Sequence, residues 1–148
     1  MINAGHLGSK SFRNDYNLKY AYLAGAMYKG IASKELVVRM GKAGMMGFFG
    51  SGGLDLERVE DAIVNIKAHL DDKYSYGINL LADSNDPEFE KQTILLYKKH
   101  GVKNIEAAAF TQITLALVLH RLHKLSRQQD GKIRIHGKII AKVSRPEV

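Results

Sequence analysis

Short apolar runs alternate with amphipathic helical stretches along nearly the whole chain, and no other feature of the sequence constrains its fold as strongly. Residues 19–25 (KYAYLAG) read as a short buried strand. Ser33 is placed to cap a helix in which Leu36, Val37, Met40 and Ala43 recur at helical spacing, and Gly44 can close it. Residues 45–49 form a compact apolar run that ends in the turn Gly50-Ser51-Gly52-Gly53. Asp55 can cap a second helix with the stripe Leu56, Val59, Ile63, Ile66 and Leu70. Residues 76–81 (YGINLL) read as a strand, and Asp86-Pro87 is a cap followed by proline at the first helical position. Phe89, Thr93, Leu96 and Tyr97 line that helix, and Gly101 closes it. Residues 102–110 read as a fourth strand. Thr111 or Thr114 opens a helix with Leu115, Val118, Leu119, Leu122 and Leu125 on one face. Residues 126–134 read as a polar loop containing Asp130-Gly131, and residues 138–143 (KIIAKV) as a fifth strand.

The strand starts fall near 19, 45, 76, 102 and 138, so successive starts are 26, 31, 26 and 36 residues apart. That is the size of a βα unit. Strict alternation of this kind predicts a parallel sheet with right-handed crossovers. An open doubly wound sheet and an arc of a barrel both satisfy it, and five steps cannot close an eight-stranded barrel. Pattern alone favours the open sheet, because a complete domain of 148 residues should bury its own edges.

Composition narrows the function classes. There are no cysteines, which excludes a disulfide framework and thiolate chemistry. The first ten residues lack a basic segment followed by an apolar run, so no signal peptide is expected. No stretch approaches the ~18 consecutive apolar residues of a membrane span. A soluble, cytoplasmic protein is the expectation. The net charge of +7 is compatible with an anionic partner (nucleic acid, nucleotide phosphates or an acidic carrier protein) and equally with charges that only solvate helix surfaces. Basic residues are in mild excess over residues 121–142, but no dense basic block with interleaved aromatics marks a nucleic-acid face.

In either parallel architecture the chemistry belongs at the C-terminal strand ends. Those ends carry Ala24-Gly25-Ala26-Met27, Gly50-Ser51-Gly52-Gly53, Asn79, Ala108-Ala109-Phe110 and Lys142-Val143-Ser144. Two are small and glycine-rich, one offers an amide, and one offers a fixed cation. The set suits a flat ring with several hydrogen-bonding edges. Each also has a plain structural explanation. The glycines can form only a tight turn; they match neither a Walker loop nor a dinucleotide fingerprint. Asn79 can cap a turn, and Lys142 can pair with a carboxylate such as Glu106. His120 and His123 lie three apart on a helix with no third ligand in register, so no metal site is expected. His6, His69, His100 and His136 read as surface or loop residues.

Residues 23–54 (LAGAMYKGIASKELVVRMGKAGMMGFFGSGGL) resemble the PfaD-type enoyl reductases of polyunsaturated fatty-acid synthases and trans-acyltransferase polyketide synthases. YGINLL, IEAAAFTQITLALV and IIAKVSRPEV resemble later stretches of the same family, so the likeness runs from about Leu7 to Val148. AGAMYKGIAS, GFFGSGGL and AKVSRPEV at these spacings are together specific. The family groups with the nitronate monooxygenases and the flavin-dependent bacterial enoyl-carrier-protein reductases, which share an FMN-bearing TIM barrel. The resemblance implies an α/β fold, a partial (β/α)8 barrel of about five of the eight strands. Residues 1–18 would be an irregular lead-in and residues 19–148 the N-terminal half of the barrel. It also implies backbone contacts to the flavin from Ala26 and Met27, a close approach by Gly50, a hydrogen bond from Asn79, and Lys142 near the N1/O2 edge, where reduction places negative charge.

The implied reaction carries a hydride from NADPH through FMN to a 2-enoyl thioester on an acyl carrier protein, within a polyketide or fatty-acid synthase. Full-length members continue past the SRPEV point with three more strands, phosphate-binding loops and a Gly-Gly-His segment that this chain does not contain. The general acid is therefore expected outside these residues, the catalytic residues stay unassigned, and the chain alone is expected to be inactive. Two other readings compete. One is a fragment of a nitronate monooxygenase. The other is a small basic binding module with an open sheet, which should be monomeric, whereas a half-barrel exposes strand edges that invite self-association.

Overall fold

The computed structural model describes residues 3–143. The chain divides into two compact units, Met1–Gly77 and Ile78–Val148. The whole SRPEV motif, which begins at Ser144 of the last strand end, lies outside the described residues.

The first unit opens with a short 3-10 turn (Ala4–His6) and then α1 (Lys10–Tyr16). The lead-in expected to be irregular is therefore partly helical. Its signals are local: the Ser9 hydroxyl accepts from Phe12 N–H, Asn17 ends the helix in the left-handed region, and Phe12 packs on Tyr16 one turn away. No residue of α1 is buried, so no apolar stripe announced it. β1 is only Leu23–Ala24, shorter than the run at 19–25. Lys19 and Tyr20 spend their N–H groups on the Gly44 carbonyl instead of a ladder. β1 pairs in parallel with β2 (Met46–Phe49), Leu23 opposite Met46 and Ala24 opposite Gly47.

Between them lies α2 (Lys34–Lys42), capped by Ser33 as expected. Its inward residues are Val37, Met40 and Gly41; Ala43, placed on the stripe by spacing, is exposed. Gly41 faces Leu70, and an added Cβ would come within 2.8 Å of it. α3 (Leu56–His69) starts at Asp55, whose carboxylate accepts from Arg58 N–H at 2.9 Å, and buries Val59, Ala62, Ile63 and Ile66. β2 is buried at all four positions, as a strand covered on both faces must be.

β3 (Gly77–Leu81) starts on the last residue of the first unit, and the second unit holds the rest of it with α4 (Pro87–Lys99), β4 (Asn104–Ala108), α5 (Leu115–Arg121), β5 (Leu125–Arg127), β6 (Ile133–Ile135) and β7 (Lys138–Lys142). The Asp86 carboxylate accepts from Phe89 N–H at 2.9 Å and Pro87 occupies the first turn, as the sequence indicates. Tyr97 is fully buried, and its hydroxyl donates to the Asn79 carbonyl at 2.5 Å. β4 lies beside β3 and pairs in parallel with β7, from Asn104 opposite Lys138 to Ala108 opposite Lys142.

Two expectations are corrected here. The polar loop at 126–134 is an antiparallel hairpin, β5–β6, turning through Gln128 and Gly131. The leucine face of α5 points outward: Leu115 and Leu122 are exposed, while Ala116 and His120 are buried. On the inward face His120 shares its Nε2–H between the carbonyls of Lys103 and Lys138, at 3.2 and 3.1 Å. With Ala116 and His120 inward, helical spacing places Leu115 and Leu122 on the outer side. Among the described residues no helix is long and apolar enough to cross a membrane.

Candidate functional site

In the first unit the structure brings Ala26, Met27 and Gly50 together just past the ends of β1 and β2. Ala26 is buried and Met27 is 46% exposed. Gly50 donates its N–H to the Ala32 carbonyl at 3.0 Å and accepts from Gly30 N–H at 2.8 Å, while Lys29 N–H donates to the Gly52 carbonyl at 2.9 Å. The two strand-end loops are thus laced by main-chain bonds. A Cβ on Gly50 would lie 1.7 Å from the Met27 carbonyl oxygen, so only glycine fits. Gly53 has φ +76°, and a Cβ there would meet the Tyr28 ring at 2.3 Å. The glycines accordingly build a tight turn against the loop after β1. The side chains of Met27 and Tyr28 remain open to solvent beside it.

In the second unit Asn79 and Lys142 converge on Glu106. Asn79 is buried in β3, and its Nδ2 donates to the Glu106 carbonyl at 3.1 Å. Lys142, at the end of β7, holds its Nζ 3.8 Å from Glu106 Oε2. The lysine side chain is half exposed and the carboxylate almost wholly buried. The lysine compensates a carboxylate that would otherwise be costly to bury, while water still reaches the ammonium. A buried amide held on the main chain of Glu106 and a carboxylate–ammonium pair on the side chain of the same residue thus occupy neighbouring parallel strands. Such a group can read the donors and acceptors along a ring edge and can place positive charge against it.

In the same unit the loops after β3 (residues 82–86) and β4 (residues 109–114) enclose an open cleft of about 1000 Å³. Its walls include Asp83, Ser84, Lys91, Phe110, Thr111 and Gln112. Glu90, buried on α4, accepts from Asp83 N–H at 3.3 Å and from the Thr114 hydroxyl, and so ties the two loops together. Ala109 sits at φ 62°, a left-handed conformation rare for alanine. Sequence reasoning missed Glu90. The available signal was its place with Ile94 and Tyr97 on one face of α4, where a carboxylate must be buried and partnered. His120 is a second buried polar residue, far from solvent, with Nδ1 unpartnered; burial pushes its pKa down. Among the described residues no three His, Asp or Glu side chains gather into a metal site.

No family model matches the chain. Among curated proteins it is 50% identical over 147 residues to the polyketide biosynthesis protein PksE of Bacillus subtilis, covering 99% of this chain and 19% of that protein. It is 41% identical over 144 residues to a component of the polyunsaturated fatty acid synthase of Thraustochytrium, covering 97% of this chain and 10% of that component. Among solved structures, the enoyl reductase domain of MlnA, from the macrolactin cluster of Bacillus amyloliquefaciens, superposes with a TM-score of 0.93 at 44% identity. That match covers 98% of this chain and 33% of the solved one. FabK of Thermotoga maritima matches at a TM-score of 0.61 and 17% identity over 70% of this chain and 31% of FabK, a likeness of fold alone. The chain thus spans a fifth or less of these curated relatives and a third of the solved reductase domain. The five parallel strands β1, β2, β3, β4 and β7 agree with part of a TIM barrel, the class implied by the family resemblance and not the open sheet favoured by pattern alone. From end to end the chain is similar to one part of the enoyl reductase domain of polyketide and polyunsaturated-fatty-acid synthases, and it carries the fold of that part.

Proposed function

We propose that this chain is the front portion of an FMN-dependent enoyl reductase that reduces 2-enoyl thioesters on an acyl carrier protein, with NADPH as hydride donor. The observation that carries the reading is the match to a solved enoyl reductase domain over 98% of the chain at 44% identity. The residues fit a flavin. In the first unit the laced loops after β1 and β2 leave the Met27 and Tyr28 side chains open to solvent, a surface against which a flat ring could lie. The Asn79 amide and the Lys142 ammonium offer the donors and the charge that the pyrimidine edge of such a ring requires.

FMN, when bound, supplies the hydride chemistry itself. This chain's residues orient and tune. Lys142 sets positive charge where the reduced ring would gain electron density, and Glu106 fixes the lysine's position. Asn79 is locked into β3 by its bond to the Glu106 carbonyl, so it presents its amide without a conformational search. The proton donor for the substrate α-carbon and the phosphate-binding loops lie outside these 148 residues in this reading.

The test is direct. The full-length polypeptide containing this chain is expected to purify yellow and to oxidise NADPH when offered an enoyl thioester. A colourless protein, or one whose NADPH oxidation ignores the thioester, overturns the reading. Preference for nitroalkanes with oxygen as acceptor would replace it with a nitronate monooxygenase.

A further inference from the structure

We propose that the β5–β6 hairpin is a docking surface for an acidic protein partner, namely the acyl carrier domain of the proposed function, on which this inference rests. The pairing is Leu125 opposite Ile135, Ser126 opposite Arg134 and Arg127 opposite Ile133. Side chains alternate across a strand, so Leu125, Arg127, Ile133 and Ile135 share one face, and Ser126 and Arg134 the other. All six residues of the two strands are exposed. Leu125 and Ile133 leave about half of their surface in water, at 46% and 55%.

This ribbon is held, not loose. Gly137 lies so close to the His120 carbonyl oxygen that a Cβ would come within 2.1 Å of it. Arg121 donates to the Gly137 carbonyl at 2.7 Å, and Ser126 bonds to His136 across the strands at 3.1 Å. At the tip, the Asp130 carboxylate accepts from Lys132 N–H at 3.0 Å. The base is pinned to the end of α5 and the arms are presented. An isolated two-stranded ribbon with a bare apolar face is marginal by itself, so the pinned base gives it a fixed geometry.

Charge selects the occupant. Arg127 shares the apolar face, Arg134 lies on the reverse face, and Lys124 and Lys132 flank the strands; all four are exposed. Asp130 is the only acidic residue from position 111 to 144, and Lys132 already pairs with it at 3.1 Å. An apolar face with cations on and beside it suits reversible, electrostatically steered contact with an anionic protein. The outward stripe of α5 (Leu115, Val118, Leu122) differs: it carries no charge and suits permanent burial inside a larger fold. Nucleic acid is also anionic, but residues 111–148 contain no Phe, Tyr or Trp on which bases could stack. Carrier domains are acidic and offer apolar helical surface, which matches both features of the hairpin.

The experiment measures binding of a fluorescently labelled holo acyl carrier protein to the full-length polypeptide by anisotropy. The R127E/R134E double variant is expected to weaken binding at least tenfold, and I133S/I135S about fivefold, with helical circular dichroism unchanged. Raising salt from 0.05 to 0.5 M should weaken wild-type binding by about tenfold or more, as screening of a charge-steered contact requires. Turnover of an enoyl N-acetylcysteamine thioester, which needs no carrier, should be the same in all three proteins. Unchanged carrier binding in R127E/R134E overturns the proposal. So does tighter binding to a single-stranded oligonucleotide than to the carrier. So does a hairpin whose amides are already fully protected from exchange in the unliganded full-length protein, covered by its own chain or by a second copy. Hairpin-dependent carrier binding without any thioester reduction would support the docking surface while sinking the reaction reading.

Discussion

Helices α3 and α5 carry apolar stripes of the same kind in sequence, yet they bury opposite things. α3 turns Val59, Ile63 and Ile66 inward, and all three are essentially inaccessible. α5 turns Leu115, Val118 and Leu122 outward and buries Ala116 and His120. The difference teaches that a helical stripe reports apolar surface needing cover, and not which neighbour provides it. In the first unit the cover is at hand: α2 lies against α3, and Leu70 at the end of α3 packs on Gly41 of α2. In the second, the inward side of α5 is claimed by a polar contact to two strand carbonyls.

The comparison can be broken or sharpened by substitution. The largest effect is expected in the first unit at Gly50→Ala. Its Cβ would overlap the Met27 carbonyl, which cannot yield without breaking the main-chain bonds at Gly30 and Ala32. A loss of about 4 kcal/mol or more is expected in urea titration, at the extreme end for point substitutions. Ile63→Ala in α3 should cost about 3 kcal/mol by leaving a cavity in a fully buried site. A loss below about 1 kcal/mol there would mean that the α3 face is not a packed core.

Stability should also depend on pH through the second unit. The folded-state pKa of His120 is lowered, first by burial, although its two carbonyl partners oppose the shift. The unfolded chain, with a histidine pKa of about 6.5, therefore takes up the proton first as pH falls. The contribution is fully present above that pH and is lost as pH drops below it. The denaturation midpoint should fall between pH 7.5 and 5.5, and the slope should flatten in His120→Leu. His123 shifts in the same direction, also mainly through burial, so His123→Gln is the control that assigns the slope.

Smaller effects complete the contrast. Lys142→Ala should cost about 2 kcal/mol: the lysine itself is half exposed, but its loss leaves the buried Glu106 carboxylate without its cation. In the flavin-bound full-length protein the same change should lower the flavin reduction potential, read by dye equilibration. Leu122→Ser, on the exposed stripe of α5, should change stability by no more than about 0.5 kcal/mol in this chain. A large loss from Leu122→Ser would show that the stripe is covered after all, and the contrast with α3 would collapse.

Helix starts were legible wherever one hydrogen bond over three residues decides them. Ser33, Asp55 and Asp86 each accept from the N–H three positions on, so composition and spacing sufficed. The same logic, applied to Ser9, would have found α1 without any apolar stripe. Of the nominated site residues, Ala26, Met27 and Gly50 meet in the first unit, while Asn79 and Lys142 meet on Glu106 in the second. The Lys142–Glu106 pair was legible because parallel register and strand length put both near the same strand end. Glu90 was not: its partners, Asp83 N–H and the Thr114 hydroxyl, lie 7 and 24 positions away. Nothing in its neighbours names them.

The sequence by itself determined the βα rhythm, the caps and the strand ends where chemistry is placed, because each depends on residues within one or two helical turns. Only the tertiary structure decided which face of α5 is inward, that residues 126–134 pair as a ribbon, and that Glu90 joins two loops. Those outcomes rest on hydrogen bonds between groups distant along the chain, such as His120 with the carbonyls of Lys103 and Lys138. Which distant carbonyls arrive within bonding distance is set by packing the whole unit, and no local window of sequence contains it.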